Sequence, residues 1–525
     1  MTGLPHAPAP RREFRIDDDI EFSCRTLPQV WKVRRDMGDG PFFWFAGKGE
    51  LSVIDFDRLC HRAYHAFRAR EIEKGDRVVL FTENSPEMLA LMLGAWRAGA
   101  IVVPLSAQAQ GAVLRDQIKR SNRKLLIGDL AVQVDIAELG VEDSLSVEDF
   151  LNVEAQENAT SNRSTAPGPL DTALILFTSG STGPSKGCVM SHHMCTYYAW
   201  VFWRYMGFGP QDTVYSCLPY NHVHALFASF FPAVMAGAKF ASSKRFSPSR
   251  YWHEISESRA TACSAIGPIA SIMIDREPEE VEKRLHVRIA HVAPPPPNLA
   301  EYESRFNLRV VSSLYGMTEA MVFPPDVDGP SVLGRLGEKP QDWDIGILDN
   351  QGQPVIPGET GEICLRPLRA GIIFDSYDGM PTETLKAWRG LWHHTGDIGR
   401  IDRQGVYWFT GRTADRIRRN GHNISAWEME QIIVEHPLVA DVATIGIDES
   451  LDNTKVVVVA RPKSGTQLLE SELQDYCAQK LPKYMMPDQI LVVADQFPRT
   501  QSGKVDRNAI RSIVAGRGQF NPRVP

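Results

Sequence analysis

Apolar residues in the first part of the chain follow two alternating patterns, short continuous runs and longer runs with helical spacing. Short runs at 76–81, 99–104 and 124–128 predict buried strands. Residues 85–98, between the first two runs, predict a helix that Ser85 caps and that carries Glu87 near its start. A strand, a helix and a second strand in this order predict a layered α/β domain with a parallel sheet.

The same alternation continues through the middle of the chain. From about Met190 the apolar content predicts a helix, and residues 196–208 are the most aromatic segment of the chain. We expect this segment to pack against the sheet, with the alternative that part of it lines a pocket. Further strands are predicted at 171–177, 213–217, 287–293 and 309–314, a helix at 251–258, and a strand followed by a helix within 262–275.

Beyond about Gly334 the strand-like runs become shorter and alternate with Gly and Pro turns. Runs at 345–348, 361–365 and 405–409 predict a small antiparallel barrel or sheet over 334–412, with residues 393–397 in a turn. We therefore predict a large N-terminal domain at 1–412. Residues 413–525 predict a small α+β domain, with helices at 426–435 and from 471 and strands at 439–447 and 455–460.

Length, charge and cysteine content narrow the class of protein. A chain of 525 residues fits two or three domains. The net charge of −7 lacks the basic footprint of a nucleic-acid-binding protein, and no run is long and apolar enough for a membrane span. Residues 1–13 lack the apolar core of a signal peptide, and we interpret them as a loose tail. The eight scattered cysteines favour reduced thiols in a cytoplasmic protein.

The first candidate functional segment is the loop that follows the strand at 171–177. Its backbone N–H groups and hydroxyls are suited to binding a phosphate, and Lys186 adds a cation. Its spacing differs from that of a Walker A motif, and a flexible surface turn is the alternative interpretation. The residues assigned to this phosphate loop are Thr178, Ser179, Gly180, Ser181, Thr182, Gly183 and Lys186.

Two further segments at strand ends carry polar side chains. Tyr315, Thr318 and Glu319 follow the strand at 309–314, where open parallel sheets place their ligand contacts. His222 and His224 follow the strand at 213–217, and neither has a partner at metal-ligand spacing. We therefore expect these histidines to be structural or gating side chains, and we expect no metal site built from protein ligands alone.

Five motifs in order give the chain a resemblance to a known family. They are the loop at 178–187, residues 315–319, residues 395–397, the pair 411–412, and residues 499–504. The chain resembles the adenylate-forming superfamily of acyl-CoA synthetases, peptide-synthetase adenylation domains and firefly-type luciferases. The resemblance implies a small, mobile C-terminal domain and a two-step reaction. A carboxylate attacks ATP to give an acyl-adenylate and pyrophosphate, and a thiol, usually that of CoA, then displaces AMP.

The resemblance implies which residues bind the nucleoside, and their chemistry suits those roles. Tyr315 offers a flat face to adenine, next to Gly316 and to Ala293 at the end of the strand at 287–293. Asp397 has two acceptors for the two ribose hydroxyls, and Arg412 is suited to pair with ribose or phosphate.

The resemblance also implies which residues act on the phosphates. Thr318 is suited to donate to a phosphate oxygen, and Glu319, with Thr178, is assigned to Mg²⁺, which usually takes one or two protein carboxylates. Lys504 is the residue expected to catalyse the first step. Two anions must be brought together there, and a cation between them stabilises the developing charge.

The resemblance places a hinge just after Gly411 and Arg412, at 413–415. Family members usually carry Asp or Lys two residues beyond that arginine, whereas this chain carries Ala414 followed by Asp415. Residues 418–423 match the segment that lines the pantetheine tunnel of CoA ligases, where Gly421 would let the thiol arm approach the backbone closely.

The acid pocket of the family is bounded by segments that match 220–226, 264–268, 291–295 and 313–317. These segments hold no Lys or Arg to pair with a second substrate charge, so a small or medium acid is expected. Many relatives carry Gly-Gly-Ala where this chain has Ala290 and His291, and the bulkier histidine is expected to reshape the pocket. The pocket residues assigned from the resemblance are His222, Val223, Gly267, Ser313 and Met317.

Several assignments remain open at this point. The stretch 246–252 is similar to the branch of carnitine- and crotonobetaine-type CoA ligases, and the aromatic residues at 197–205 would suit a quaternary ammonium acid. CoA is the expected acceptor, with a carrier protein or an amine as the alternative. A catalytically silent nucleotide-binding protein is a further alternative, and a homodimer is possible.

Overall fold

The computed structural model describes residues 25–128, 144–152, 166–178, 185–296, 298–312, 315–322, 332, 334–419, 422–450, 453–499 and 505–516. The predicted tail at 1–13, most of the connection before the strand at 171–177, and the glycine-rich centre of the phosphate loop lie outside these residues.

The first sheet is a six-stranded sheet built mainly from parallel strands. The helix Pro86–Arg97 connects two of its neighbouring strands, and the Ser85 side chain caps that helix by accepting from the Met88 N–H. This arrangement confirms the predicted strand–helix–strand unit. In sheet order the strands are Ser144–Leu145, Leu125–Gly128, Arg77–Phe81, Ile101–Pro104, Thr172–Thr178 and Lys186–Ser191.

The prediction of a helix from about Met190 is wrong at its start. Residues Lys186–Ser191 form a strand that pairs antiparallel with Thr172–Thr178, so the phosphate loop connects the two strands of a hairpin. The helix His192–Met206 follows, and the Ser191 side chain caps it by accepting from the Met194 N–H. Pairing with the preceding strand satisfies the backbone of 186–191, which sets the start of the helix at the capping serine.

The second sheet has seven strands, and its neighbouring strands are parallel except for the hairpin at one edge. In sheet order they are Arg309–Val311, Ile289–Ala293, Ala262–Ile266, Thr213–Ser216, Lys239–Ser242, Pro41–Phe45 and Gly49–Ser52. Ser242, Ser216, Ser264 and His291 are paired side by side across four of these strands, so their side chains share one face. All four are buried, and together they form what we call the polar row.

Helices cover the two sheets and share a large apolar core with them, and a smaller apolar cluster lies on the other face of the first sheet. The helix His192–Met206 lies mostly in this core, which confirms that its aromatic residues pack inside the protein. A π-helical turn at Leu226–Phe230 separates two short helices. The other helices of this part of the chain are Leu27–Asp36, Val53–Ala69, Gly111–Arg120, Val147–Leu151, Val223–Ala225, Phe231–Ala236, Tyr251–Glu257, Gly267–Ile274 and Leu299–Phe306, with a 3₁₀ helix at Glu280–Arg284.

Residues 335–412 form the predicted antiparallel sheet, and a two-residue strand, Trp388–Arg389, pairs with one of its members. Residues 393–397, however, lie within the strand Trp392–Ile401 and not in a turn. Gly396 has a positive φ of 72°, and its N–H donates to the Glu362 side chain on the neighbouring strand, so an irregular but paired strand forms there. In order the strands are Arg335–Gly337, Tyr407–Arg412, Trp392–Ile401, Thr360–Pro367 and Trp343–Leu348. A short hairpin of Tyr315–Gly316 and Met321–Val322 and the helix Pro381–Ala387 complete this part.

The C-terminal part has its own sheet and its own apolar clusters, which draw only on residues between 417 and 514. The 3₁₀ turn Thr413–Asp415 precedes it, and the predicted boundary between domains at 412 stays a prediction. Its strands are Arg416–Arg419, His422–Ser425, Val439–Ser450, Asn453–Pro462 and Gln489–Val492, and its helices are Ala426–Val434, Glu470–Lys480 and Arg507–Gly516, with a 3₁₀ turn at Lys483–Met485. Among the described residues, no helix is long and apolar enough to cross a membrane.

Candidate active site

A cavity of about 1850 Å³ opens where the parallel strands end and where the antiparallel sheet approaches them. The sequence motifs lie far apart in the chain, yet described residues of all five line this one cavity. The predicted residues on its wall are Thr178, Lys186, His222, Val223, Ala293, Tyr315, Gly316, Met317, Thr318, Glu319, Asp397 and Arg412.

The remaining predicted site residues are not on the described wall. Gly267 is buried, and a Cβ atom at its position would lie 3.0 Å from the Pro294 carbonyl oxygen, so it packs behind the wall that its neighbours Ile266 and Pro268 form. Ser179, Gly180, Ser181, Thr182, Gly183, Ser313, Gly421 and Lys504 lie outside the described residues.

Asp397 and its neighbours form a preorganised corner of the cavity. The Asp397 side chain is buried, and one of its oxygens accepts from the Tyr315 hydroxyl at 2.8 Å. The Nε of Arg412 lies 3.1 Å from the other oxygen. Burial and the nearby Asp397 charge raise the pKa of Tyr315, so the phenol stays protonated and donates. The corner offers carboxylate acceptors beside an aromatic ring, which suits a ribose joined to a base.

A second polar group of side chains surrounds Lys186 at the base of the phosphate loop. The Lys186 ammonium lies 3.2 Å from the Glu383 carboxylate and 4.8 Å from the centre of the Tyr377 ring. The Tyr377 hydroxyl donates to Glu319 at 2.8 Å, and the Thr178 hydroxyl donates to the Lys186 carbonyl at 3.3 Å. One tyrosine thus connects the cation suited to phosphate with the carboxylate suited to a metal ion.

The residues present fit a magnesium ion. Glu319 is buried, and one of its oxygens is occupied by the Tyr377 hydroxyl, which leaves the second oxygen for a cation. Mg²⁺ is usually bound through one or two carboxylates plus substrate phosphates, and the Thr178 hydroxyl is a further oxygen on the same wall.

Glu362, Cys364 and His394 form another group whose ligand atoms lie within 4.8 Å of one another. Glu362 accepts from the Gly396 N–H at 2.9 Å and lies 2.7 Å from His394 Nδ1, and the Arg389 guanidinium lies 2.9 Å from the same nitrogen. Burial raises the pKa of Cys364 to about 12, so its thiol is protonated. The Arg389 guanidinium beside these ligand atoms opposes a cation, and the Glu362 bond to the Gly396 N–H fixes the strand that presents Asp397.

The wall of the cavity also carries two histidines in contact. His224 Nε2 and His291 Nδ1 lie 2.8 Å apart. The rings of His291 and Phe202 pack edge to face, with their centroids 4.8 Å apart. Burial lowers the pKa of His224 to about 4 and that of His291 well below its ordinary value, so both rings are neutral at pH 7. His222 and Val223 lie next to them on the wall.

The aromatic helix does not supply the pocket. No described residue that lines the cavity comes from the segment 197–205, because these side chains are used in the core. The structure therefore gives no support to these aromatic faces as the binding site of a quaternary ammonium acid, and which acid binds stays a prediction.

Several wall residues have no counterpart in the predicted site. Tyr377 and Glu383 come from an irregular segment and a short helix, and Glu362 and Arg389 come from strands of the antiparallel sheet. Arg499 reaches the cavity from the C-terminal part. Arg499 belongs to the motif at 499–504. The other four residues belong to no motif, and only the tertiary fold brings them to the cavity.

Comparison with known families decides the classification. The AMP-binding enzyme family matches residues 31–368, and the family described as the AMP-binding enzyme C-terminal domain matches residues 428–504. The chain belongs to the AMP-binding enzyme family. This finding confirms the sequence-based assignment to the adenylate-forming superfamily and its layered α/β fold with a separate C-terminal region.

Relatives of this AMP-binding enzyme place it near the carnitine-type CoA ligases. A crotonobetaine/carnitine–CoA ligase of Salmonella typhimurium is 27% identical over 489 residues, which is 88% of this chain and 93% of that protein. The ligase of the same name from Citrobacter koseri is 28% identical over 496 residues, with the same two shares covered.

Solved structures show the same fold. ATP-bound MatB from Rhodopseudomonas palustris is similar with a TM-score of 0.80 and 25% identity, over 92% of this chain and 98% of that chain. The o-succinylbenzoate CoA synthetase MenE from Bacillus subtilis, in complex with the acyl-adenylate OSB-AMP, has a TM-score of 0.79 and 23% identity, over 93% and 98%. This second likeness shows the fold alone.

Proposed function

We propose that this AMP-binding enzyme is an acid–CoA ligase that activates a small or medium carboxylic acid. The observation that carries the proposal is that one cavity is lined by the phosphate-loop lysine, the Tyr315–Glu319 segment, Asp397 and Arg412. Relatives named as CoA ligases support CoA as the acceptor.

The nucleoside would bind at the preorganised corner. Tyr315 stacks on adenine beside Gly316 and Ala293, while Asp397 accepts from the ribose hydroxyls and Arg412 neutralises nearby charge. The polyphosphate would bind at the loop 178–187, with Lys186 leaving Glu383 for the phosphate oxygens.

Chemistry would then proceed in two steps. An oxygen of the acid attacks the α-phosphorus of ATP, the bond to the pyrophosphate oxygen breaks, and Lys504 stabilises the charge of both reacting anions. Mg²⁺ bound at Glu319, with Thr178, would neutralise phosphate charge, and Thr318 would donate to a phosphate oxygen. In the second step the CoA thiolate attacks the acyl carbon, the bond to the AMP oxygen breaks, and the thiol proton passes to solvent.

The C-terminal part would move between these steps about the turn Thr413–Asp415 and bring Gly421 to the pantetheine arm. We also propose a cytoplasmic location, supported by seven described cysteines that are all buried and free of disulfides. A homodimer remains part of the proposal.

The test is release of pyrophosphate and formation of acyl-CoA with ATP, Mg²⁺ and a panel of carboxylic acids, each with and without CoA. We expect one class of acid to stimulate release and to give a thioester by mass spectrometry. The Lys504→Ala variant should lose at least about a hundredfold in the first step, because electrostatic groups of this kind contribute about that much.

Lys480→Ala is the matched control, since this lysine lies at the end of the helix Glu470–Lys480, and described residues around it do not line the cavity. Acid-dependent pyrophosphate release without a thioester would indicate that the acyl acceptor is a carrier protein or an amine and not CoA. ATP binding by calorimetry without release for any acid would favour a silent nucleotide-binding protein.

A further inference from the structure

The contact between His224 and His291 bears on which acid the enzyme accepts. His224 lies in the short helix Val223–Ala225, His291 lies in the strand Ile289–Ala293, and both line the cavity. The His291 side chain is 3% exposed, and its Nε2 is buried with no hydrogen-bond partner among the described residues. A buried polar atom without a partner is uncommon in a folded protein, and it calls for an explanation.

The position of this histidine pair along its strand places it away from the reacting carboxylate of a bound acid. In the proposed complex, Ala293 at the end of its strand borders the nucleotide. His291 lies two residues earlier, on the same face of the sheet. Two residues of a strand span roughly 7 Å, so the pair meets the part of the acid that is remote from its carboxylate.

The two rings share a single proton in their contact. If His224 Nε2 donated to His291 Nδ1, the buried His291 Nε2 would carry an N–H with no acceptor. A buried N–H without an acceptor costs more free energy than a buried lone pair without a donor. In the other tautomer, His291 Nε2 carries no proton, and only its lone pair lacks a partner. His291 Nδ1 then donates to His224 Nε2, and His224 carries its own proton on Nδ1, the ring nitrogen that remains available to a ligand.

Charge also restricts the ligand. The pair stays neutral at pH 7 because burial lowers the pKa of both rings. None of the described wall residues at 220–228, 266–272 and 291–293 brings a formal charge to pair with an ionic group on the acid. Lys244 and Arg245 belong to a different segment of the wall. A neutral N–H donor within segments that carry no formal charge selects a neutral oxygen acceptor.

We propose that His224, positioned by His291, selects acids that carry a neutral carbonyl oxygen remote from the reacting carboxylate, in preference to plain alkanoates, dicarboxylates or quaternary ammonium acids. This inference rests on the proposed acid–CoA ligase function. His224 binds the acid, and His291 is a positioning residue that fixes the tautomer of His224.

The experiment measures kcat/KM of the full-length enzyme for acyl-CoA formation with three matched pairs of acids. They are 4-oxopentanoate and pentanoate, 5-oxohexanoate and hexanoate, and 6-oxoheptanoate and heptanoate. In at least one pair we expect the oxo acid to be preferred by about tenfold or more, because a site built for a hydrogen bond rejects the analogue that lacks it. We expect adipate and a betaine-type acid to be poorer than the preferred oxo acid.

Variants identify the residues responsible. His224→Phe keeps a ring of similar size and should reduce the ratio within the preferred pair to about one, and His291→Phe should reduce it in part. Since a folding defect lowers both rates of a pair, the ratio reports recognition. The matched control is His192→Phe, which replaces a buried histidine that is not among the described wall residues and should leave the ratio unchanged.

The outcomes separate the two proposals. Equal or better activity with the alkanoate in all three pairs overturns the inference and leaves the ligase function intact. An oxo-acid preference that survives His224→Phe also overturns it. If none of these acids yields acyl-CoA but another acid of the panel does, the inference is overturned and the ligase function stands. If no acid of the panel yields acyl-CoA although the enzyme binds ATP, both proposals fail.

Discussion

At the scale of single residues, the protein's own side chains hold the proposed nucleoside corner together. Asp397 is buried, yet the Tyr315 hydroxyl and Arg412 already hold both of its oxygens. A ligand that meets groups fixed in this way orders few side chains on binding, and the entropic cost of association falls.

Tyr315→Phe tests this corner. The variant keeps the ring for adenine but removes the hydroxyl that orients Asp397, and a hydrogen bond to a charged group contributes about 1.5–3 kcal/mol. We expect the KM for ATP to rise about tenfold, with a smaller change in the KM for the acid.

Tyr407→Phe supplies the control for the same chemical change. The Tyr407 hydroxyl donates to the Ile345 carbonyl, and Tyr407 is not among the described residues that line the cavity. An equal rise in the KM for ATP in both variants, or no rise in Tyr315→Phe, would refute the assigned role.

At the scale of elements, the sequence predicts best where the signal is local. The strand Arg77–Phe81 and the helix Pro86–Arg97 lie within a residue of their predicted bounds, because an apolar run and a capping serine specify them. The segment 393–397 was misassigned, since Thr, Gly and Asp are typical of turns and the partner that holds them in a strand, Glu362, lies far away in the sequence.

In the candidate site, too, the sequence predicts residues that belong to local motifs and misses residues that only long-range contacts bring in. Residues inside motifs were found one at a time, including His291 as a bulky departure from the family pattern. Their partners Tyr377, Glu362 and Glu383 were not found, because long-range contacts create those pairs. The contact of His224 with His291 likewise joins a helix to a strand that the chain separates.

The helix Ala426–Val434 carries a buried carboxylate close to the proposed hinge. Glu430 accepts from the Thr444 N–H at 2.6 Å and pairs with Arg507, which also reaches Asp415 in the turn Thr413–Asp415 at 3.2 Å. Arg507 therefore connects the proposed hinge to the helix that follows residues 500–504.

Glu430→Gln is expected to change the pH dependence of stability. Burial raises the pKa of Glu430 from 4.5 to about 7, so the folded state binds its proton more tightly than the unfolded state. The associated stability is fully present below pH 4.5 and is lost as pH rises through 7, by about 3 kcal/mol. The free energy of unfolding of the wild type, relative to the variant, should fall between pH 4.5 and 7.

Urea unfolding at pH 5 and at pH 8 measures this difference. Glu435→Gln, at the exposed end of the same helix, is the control and should follow the wild type at both pH values. Identical pH dependence in the wild type and in Glu430→Gln would show that this carboxyl group titrates normally.

At the scale of the whole molecule, the chain builds separate apolar cores. The large core draws on both parallel sheets and the antiparallel sheet, and a smaller cluster lies on the other face of the first sheet. Two further clusters use only residues beyond 416. A ring contact between Phe409 and Trp427, with centroids 5.2 Å apart, is one of the links between these parts.

Separate cores predict separate unfolding. We expect two transitions in scanning calorimetry, and Ile433→Ala should lower only the one that belongs to the C-terminal part. Ile433 is fully buried there, and its truncation costs about 2–5 kcal/mol. Ile363→Ala, the same change in the large core, should lower only the other transition. A joint shift of both transitions in either variant would mean that the chain unfolds as one unit.

The polar row has an evolutionary consequence. Three of its four members are serines, and His291 is its bulky member, two residues from Ala293. A single mutation at His291 would change both the depth and the polarity of the proposed acid pocket, while the residues proposed to bind the nucleotide stay as they are. We therefore expect a change in the His291 codon to alter acid specificity while the use of ATP is retained, so that related enzymes can diverge in the acid they accept.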